Sequence, residues 1–236
     1  MHVLIAGGGI GGLTLALMLH KRGIKATIYE QASSVREIGV GINTLPHAIK
    51  ELAELDMLDV LDATGIRTKE LIYLNRFGQE VWREWRGMWA GAPVPQFSIH
   101  RGRFQKVLYD AVIERLGAKA VKTGRRLAGF TQSEGGVTVQ FVDASDGLGS
   151  ETVRGDILIA ADGIHSAARK IFYPGEGAPS WDGVLMWRGA TEFPQYLDGQ
   201  TMFIGGGMGA KFVLYPIGEA GEGKRLTNWV VNVRVA

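Results

Sequence analysis

Residues 2–12 read His2-Val3-Leu4-Ile5-Ala6-Gly7-Gly8-Gly9-Ile10-Gly11-Gly12, a short apolar strand running straight into a glycine-rich turn. A helical stretch follows, in which Leu13, Leu15, Ala16, Leu17 and Leu19 precede a stop at Arg22-Gly23. Ala26-Thr27-Ile28-Tyr29-Glu30 then reads as a second strand that closes on a carboxylate. Glycines at 7, 9 and 12 between a strand and a helix, with an acid at the end of the next strand, form the arrangement that holds a pyrophosphate. Gly7 permits the tight turn, Gly9 lets the backbone approach the phosphates, and Gly12 lets the helix lie against the strand. The free amides at the helix start, around Ile10 and Gly11, face the same anion. Glu30, 18 residues past Gly12, is placed to accept hydrogen bonds from ribose hydroxyls and to disfavour a 2′-phosphate; the plainer reading is a solvated charge at a strand end.

Working outward, 236 residues suffice for one large domain or two smaller ones. Lys plus Arg number 26 against 24 Asp plus Glu, a balance too even for an electrostatic claim on nucleic acid. There is no cysteine, which removes disulfides, thiolate metal sites and a cysteine nucleophile, and fits a reducing cytoplasm. Five scattered histidines lack ligand spacing, so no metal site is expected. No membrane span is expected, and the first residues form a strand rather than a signal segment.

The loop from Val35 to Ile42 carries two glycines, Gly39 and Gly41, and is followed by helices over 46–55 and 58–63. Residues 71–74 and 80–83 suit a hairpin about Asn75 to Gln79. An aromatic, irregular segment with Trp82, Trp85 and Trp89 comes next. Phe97 to His100 is a strand, and Arg101 opens a helix through Leu116 with apolar residues at helical spacing. Strands near 120–122, 126–132, 137–143 and 151–153 form a β-rich stretch. Asp156 to Ala161 reads as a buried strand of parallel type that ends in Asp162-Gly163. From Gly183 onward, strands over 184–191, 201–204, 212–216 and 228–235 suit a second, antiparallel sheet. The last of them has no closing element, which reads as the N-terminal portion of a longer protein.

Several strings act together. Ile5 to Gly12, Glu30, Arg36-Glu37-Ile38-Gly39-Val40-Gly41-Ile42, His100-Arg101 before a helix, and Ala161-Asp162-Gly163-Ile164-His165-Ser166-Ala167-Ala168-Arg169 resemble the single-component FAD-dependent aromatic hydroxylases, the family of para-hydroxybenzoate and salicylate hydroxylases. Within it, Pro95 to Gly102, Met186 to Phe193 and Asn228-Trp229-Val230 resemble the phenazine-modifying hydroxylases. The resemblance implies an α/β fold: a Rossmann-like FAD-binding domain with a β-rich insert, discontinuous over 1–70 and 97–178. A partial substrate-binding domain, with a mostly antiparallel sheet, takes 71–96 and 179–236.

The same resemblance implies that Gly7, Gly9, Ile10, Gly11 and Gly12 hold the FAD pyrophosphate, with Glu30 on the AMP ribose and Gln31 beside it. Arg36, Gly39 and Gly41 line the flavin side. Arg101 reaches the phosphates or ribityl chain as a charge-assisted donor. Leu127 offers backbone bonds to adenine, and Asp162-Gly163 organises FAD and incoming nicotinamide nucleotide. Trp187, Arg188 and Tyr215, on the second sheet, border an aromatic substrate. The implied activity is monooxygenation: NADH or NADPH reduces FAD, oxygen forms the flavin C4a-hydroperoxide, and an aromatic ring of phenazine or benzoate type is hydroxylated. No protein nucleophile is required, and none is found.

The family's later Gly-Asp motif, on the opposite flavin wall, does not occur in these residues. Plainer readings stay open: a surface-loop Arg36, an Arg101 paired with a surface acid, an Asp162 that only caps a helix, and a Trp187, Arg188 and Tyr215 of ordinary packing. An NAD-dependent dehydrogenase and a non-catalytic dinucleotide-binding module are the alternative functions.

Overall fold

A computed structural model describes residues 1–235. In chain order the elements are β1 (His2–Ala6), α1 (Ile10–Lys21), β2 (Lys25–Tyr29), β3 (Gly41–Thr44), α2 (Pro46–Glu54), α3 (Leu58–Thr64), β4 (Ile66–Arg67), β5 (Glu70–Leu74), β6 (Glu80–Trp85), β7 (Phe97–His100) and α4 (Arg101–Leu116). They continue with β8 (Val121–Lys122), β9 (Arg125–Ser133), β10 (Gly136–Asp143), β11 (Glu151–Gly155), β12 (Ile157–Ala160), α5 (Ala167–Phe172), β13 (Val184–Pro194), β14 (Thr201–Gly206), β15 (Ala210–Glu219) and β16 (Lys224–Arg234). The chain divides into two compact units, Met1–Arg36 with Gln105–Ala178 and Glu37–Phe104 with Pro179–Ala236.

In the first unit, β12, β1, β2 and β8 form a parallel sheet in that order. Val3 to Ala6 are buried on both faces, as a central parallel strand requires. Leu13, Ala16 and Leu17 make the buried stripe of α1. The antiparallel β11-β10-β9 sheet supplies Leu127, Val137, Val139 and Phe141 to one core with Leu4, Ala6 and Tyr29. There the rings of Tyr29 and Phe141 stack, with centroids 3.9 Å apart and planes 6° from parallel.

The strand expected to be buried before Asp162 is parallel to β1 but lies at the sheet edge. Leu158 packs on the core, whereas Ile157 and Ile159 are 42% and 37% exposed. The apolar run suggests burial on both sides, yet the side chains alternate and no described residue covers the outer face.

The second unit contains the small antiparallel sheet β3-β7-β4 and a six-stranded sheet ordered β13-β16-β15-β14-β5-β6. All neighbours in the larger sheet are antiparallel except β14 with β5. Leu71, Met202, Tyr215 and Ile217 form its core cluster. The glycine loop around 39–41 leads into a strand that sequence periodicity does not announce: Gly41 to Thr44 pairs with Phe97 to His100. β3 and β4 both pair with β7 within this unit, antiparallel to it. Among the described residues, no helix is long and apolar enough to cross a membrane.

Candidate functional site

In the first unit, the turn between β1 and α1 is shaped by contacts that exclude side chains. Gly7 has φ of 109°, and a Cβ there would lie 2.2 Å from the Ala161 carbonyl oxygen. A Cβ on Gly12 would lie 2.0 Å from the carbonyl oxygen of Gly7. Both obstacles are backbone, so these glycines are required by close packing of strand, turn and helix.

Gly9 and Gly11 differ: a Cβ on either would meet nothing within 4 Å. The first helical bond of α1 runs from Leu13 N–H to the Gly9 carbonyl, and no side chain caps the helix. The amides of Ile10, Gly11 and Gly12 therefore have no intrahelical acceptor. An open approach, free amides and the positive end of a twelve-residue helix suit a phosphate-bearing group.

Glu30 is held against this turn. Its carboxylate accepts from Gly8 N–H at 2.5 Å and from Ala32 N–H at 2.7 Å. The backbone around it is fixed as well, because Glu30 N–H donates to Lys122 and Arg125 N–H donates to Glu30. Gln31 is exposed beside it. Leu127 has its side chain in the core, while its strand β9 is an edge strand with one side of its backbone free of strand partners. Asp162 caps α5: its Oδ2 accepts from Ala167 N–H at 2.7 Å and Ala168 N–H at 3.3 Å. Gly163, with φ of 78°, is exposed after it. Arg36 is an exposed loop residue whose Nε reaches the Ser34 hydroxyl at 3.4 Å.

One contact in this unit is new relative to the sequence reading. Gln105 on α4 donates from Nε2 to the Gly8 carbonyl at 2.9 Å, tying that helix to the glycine turn. A signal for it was present, since Gln105 stands four residues after Arg101 and so shares its helical face.

In the second unit, Arg101, Gly39 and Gly41 come together. Arg101 N–H donates to the Val40 carbonyl at 2.9 Å. A Cβ on Gly39, whose φ is 132°, would lie 2.9 Å from Arg101 Nε, so the arginine side chain lies across that glycine. Arg101 is exposed, and among the described residues its guanidinium forms no ion pair. His100 caps the start of α4, with Nδ1 accepting from Arg103 N–H at 3.3 Å. Burial, with the Arg103 charge next, pushes the His100 pKa below its ordinary value, while a backbone bond with Gly39 opposes the shift.

The strand register separates the three residues expected to border an aromatic substrate, Trp187, Arg188 and Tyr215. Arg188 pairs with Val230, and Ala190 with Asn228, which in turn pairs with Tyr215; Arg188 and Tyr215 therefore share one sheet face. Trp187 points to the other face and is 52% exposed. Arg188 donates from Nη2 to the Gly41 carbonyl at 3.0 Å. Asn228, absent from the sequence reading as a site residue, accepts from Gly41 N–H through Oδ1 at 2.8 Å. Burial raises the Tyr215 pKa, and the Arg188 charge acts against it. Further along the same face, Met186, Lys211 and Asn232 line a cavity of about 500 Å³.

Comparison with known proteins gives a consistent picture. Residues 1–174 match the family described as FAD binding domain. The chain is 41% identical over 235 residues to the phenazine 1,6-dicarboxylic acid hydroxylase PhzS of Lysobacter antibioticus, covering 98% of this chain and 58% of that protein. It is 33% identical to an aurachin C monooxygenase/isomerase of Stigmatella aurantiaca, over 93% of this chain and 55% of the other. Among solved structures, HpxO of Klebsiella pneumoniae complexed with FAD and uric acid superposes with a TM-score of 0.79 at 25% identity, over 100% of this chain and 57% of that one. The chain thus spans somewhat over half the length of the relatives it matches.

Proposed function

The chain belongs to the FAD-binding-domain family, and from that premise we propose that it holds FAD for an NAD(P)H-dependent monooxygenation of an aromatic ring. The observation that carries the reading is the glycine turn, where close packing demands Gly7 and Gly12 while Gly9 and Gly11 open onto free space beside unpaired helix amides. The residues fit the cofactor in kind. Amides of α1 would take the pyrophosphate, and Glu30 would take the ribose hydroxyls by releasing or sharing its bonds to Gly8 and Ala32. Gln31 and the free side of the β9 backbone at Leu127 would border the adenosine. Asp162 keeps Oδ1 for a ligand while Oδ2 caps α5. In the second unit, Arg101 supplies an uncommitted guanidinium, and Gly39 and Gly41 a side-chain-free backbone suited to lying near a flat ring. Arg36 serves the same end of the cofactor.

When bound, FAD supplies the redox and oxygen chemistry, so the protein's tasks are to bind, orient and exclude water. The sheet face with Arg188 and Tyr215 is the surface we assign to the substrate. Burial keeps the Tyr215 hydroxyl protonated, so it can donate to an oxygen or nitrogen on a ring. The uncommitted N–H groups of Arg188 favour an anionic substituent. The Lysobacter relative is named for an aromatic dicarboxylic acid, which supports a substrate of phenazine or benzoate type for this chain. Trp187 lies on the opposite face and is left out of this assignment.

A visible absorbance spectrum of the purified chain, followed by FAD titration, tests the cofactor. Oxidised-flavin bands with stoichiometric uptake are expected. Oxygen consumption with NADH or NADPH, stimulated by an aromatic carboxylate, tests the activity. A colourless protein that takes up no FAD refutes the reading.

A further inference from the structure

The peptide groups at Gly41 are held from both sides by the six-stranded sheet. Asn228 Oδ1 accepts the Gly41 N–H at 2.8 Å, and Arg188 Nη2 donates to the Gly41 carbonyl at 3.0 Å. These partners stand 187 and 147 positions away in the chain. The fit leaves no slack: a Cβ at Gly41 would lie 2.6 Å from Tyr215 Cε2 and 2.7 Å from Asn228 Cβ. Two residues earlier, Arg101 lies across Gly39 and fastens Val40 through its own N–H.

Asn228 is fully buried, and its Nδ2 has no hydrogen-bond partner. A buried amide with one end unsatisfied carries a desolvation cost that apolar packing would avoid. What the side chain gains is the single acceptor aimed at Gly41, so its chemistry is explained by the loop it holds rather than by core filling. Unsatisfied groups of this kind call for such an explanation.

We propose that Asn228, with Arg188, is a positioning clamp that fixes the Gly39–Gly41 backbone for FAD, so that the sheet assigned to the substrate sets the loop assigned to the flavin. The proposal rests on the FAD reading above. Asn228 is a positioning residue in this scheme: it touches neither reactant and acts through the Gly41 peptide. Preorganising a loop in its bound form raises affinity by removing the cost of ordering it.

The test compares the wild-type chain with Asn228→Ala, which removes the acceptor, and Asn228→Asp, which keeps one for the Gly41 N–H. Arg188→Met is the companion variant; its strand β13 lies at the sheet edge, so folding tolerates it. FAD affinity is read by quenching of flavin fluorescence, and hydrogen exchange is followed at residues 38–42. In Asn228→Ala, FAD binding weakens about tenfold, equivalent to 1.4 kcal/mol, and exchange at Gly41 accelerates. Asn228→Asp stays within about threefold of wild type, and Arg188→Met weakens binding in the same direction. An Asn228→Ala protein with lowered Tm but unchanged FAD affinity overturns the clamp and leaves the cofactor reading standing. A wild-type chain that binds no FAD overturns both.

Discussion

Replacing Glu30 by Gln keeps the shape of the side chain and removes half of its accepting capacity. In the wild type both carboxylate oxygens are used, Oε2 by Gly8 N–H and Oε1 by Ala32 N–H. A Gln amide has one oxygen and one NH₂, so one of the two backbone donors must face another donor. Gly8 is buried and Ala32 exposed, so the oxygen stays with Gly8 and water replaces the bond at Ala32. The cost then falls near the lower end of the roughly 1.5–3 kcal/mol assigned to a hydrogen bond with a charged group. At about 2–4 °C per kcal/mol for a chain of this size, Tm falls by roughly 3–6 °C. Binding suffers more. An amide cannot accept from two ribose hydroxyls while serving Gly8, and the loss of a charged acceptor weakens FAD binding roughly ten- to hundredfold. Thermal denaturation without FAD and a fluorescence titration with it measure the two effects separately. A variant that loses Tm yet binds FAD within about twofold of wild type would falsify the ribose role and reduce Glu30 to a brace for the turn.

Gly12→Ala sets a Cβ 2.0 Å from a backbone oxygen, so Tm drops by roughly 2–12 °C, on an overpacking cost of about 1–3 kcal/mol, and FAD uptake is lost; Gly11→Ala, which opens onto free space, keeps its Tm. Equal melting curves for the two variants would contradict the packing account. Arg101→Ala leaves Tm within about 2 °C, as for an exposed side chain outside any ion pair, but weakens FAD binding tenfold or more if the guanidinium meets a phosphate; unchanged affinity removes it from the site. For pH, His100 has a folded pKa below its usual 6.5. Between the folded value and 6.5 the unfolded chain holds more protons, so stability is complete above 6.5 and declines as pH falls below it. His2 shifts in the same direction through burial and adds to the slope. Melting curves at successive pH values should show this decline, and His100→Asn, which keeps an acceptor at the start of α4 without a titrating group, should flatten it; an identical slope in the variant rules out His100 as a source.

The nucleotide-binding half of the fold was legible because its signals are local. Strand, glycine turn, helix and second strand occupy thirty consecutive residues, and each element follows from spacing alone. The hairpin at 70–85 and the long helix α4 were legible for the same reason. Strand β3 was not, since its four residues show no alternation and its identity comes from pairing with residues fifty-odd positions later. The exposure of Ile157 and Ile159 was also hidden, because an apolar run reports composition and not which neighbours arrive to cover it. The separation of Trp187 from Arg188 was present in the sequence, as adjacent residues on a strand face opposite ways.

By itself, then, the sequence determined the glycine turn and helix start on which the proposed phosphate site rests, because backbone conformation near glycine and the free amides of a helix start are properties of a few neighbouring residues. It also determined that a carboxylate stands at the end of the second strand. Only tertiary structure decided what Glu30 touches, that Gln105 reaches the turn, and that Gly41 is gripped by Arg188 and Asn228. Those contacts depend on sheet order and register, which bring together residues far apart in the chain. Local propensity fixes the parts of this site, while long-range strand pairing fixes the distances between their atoms.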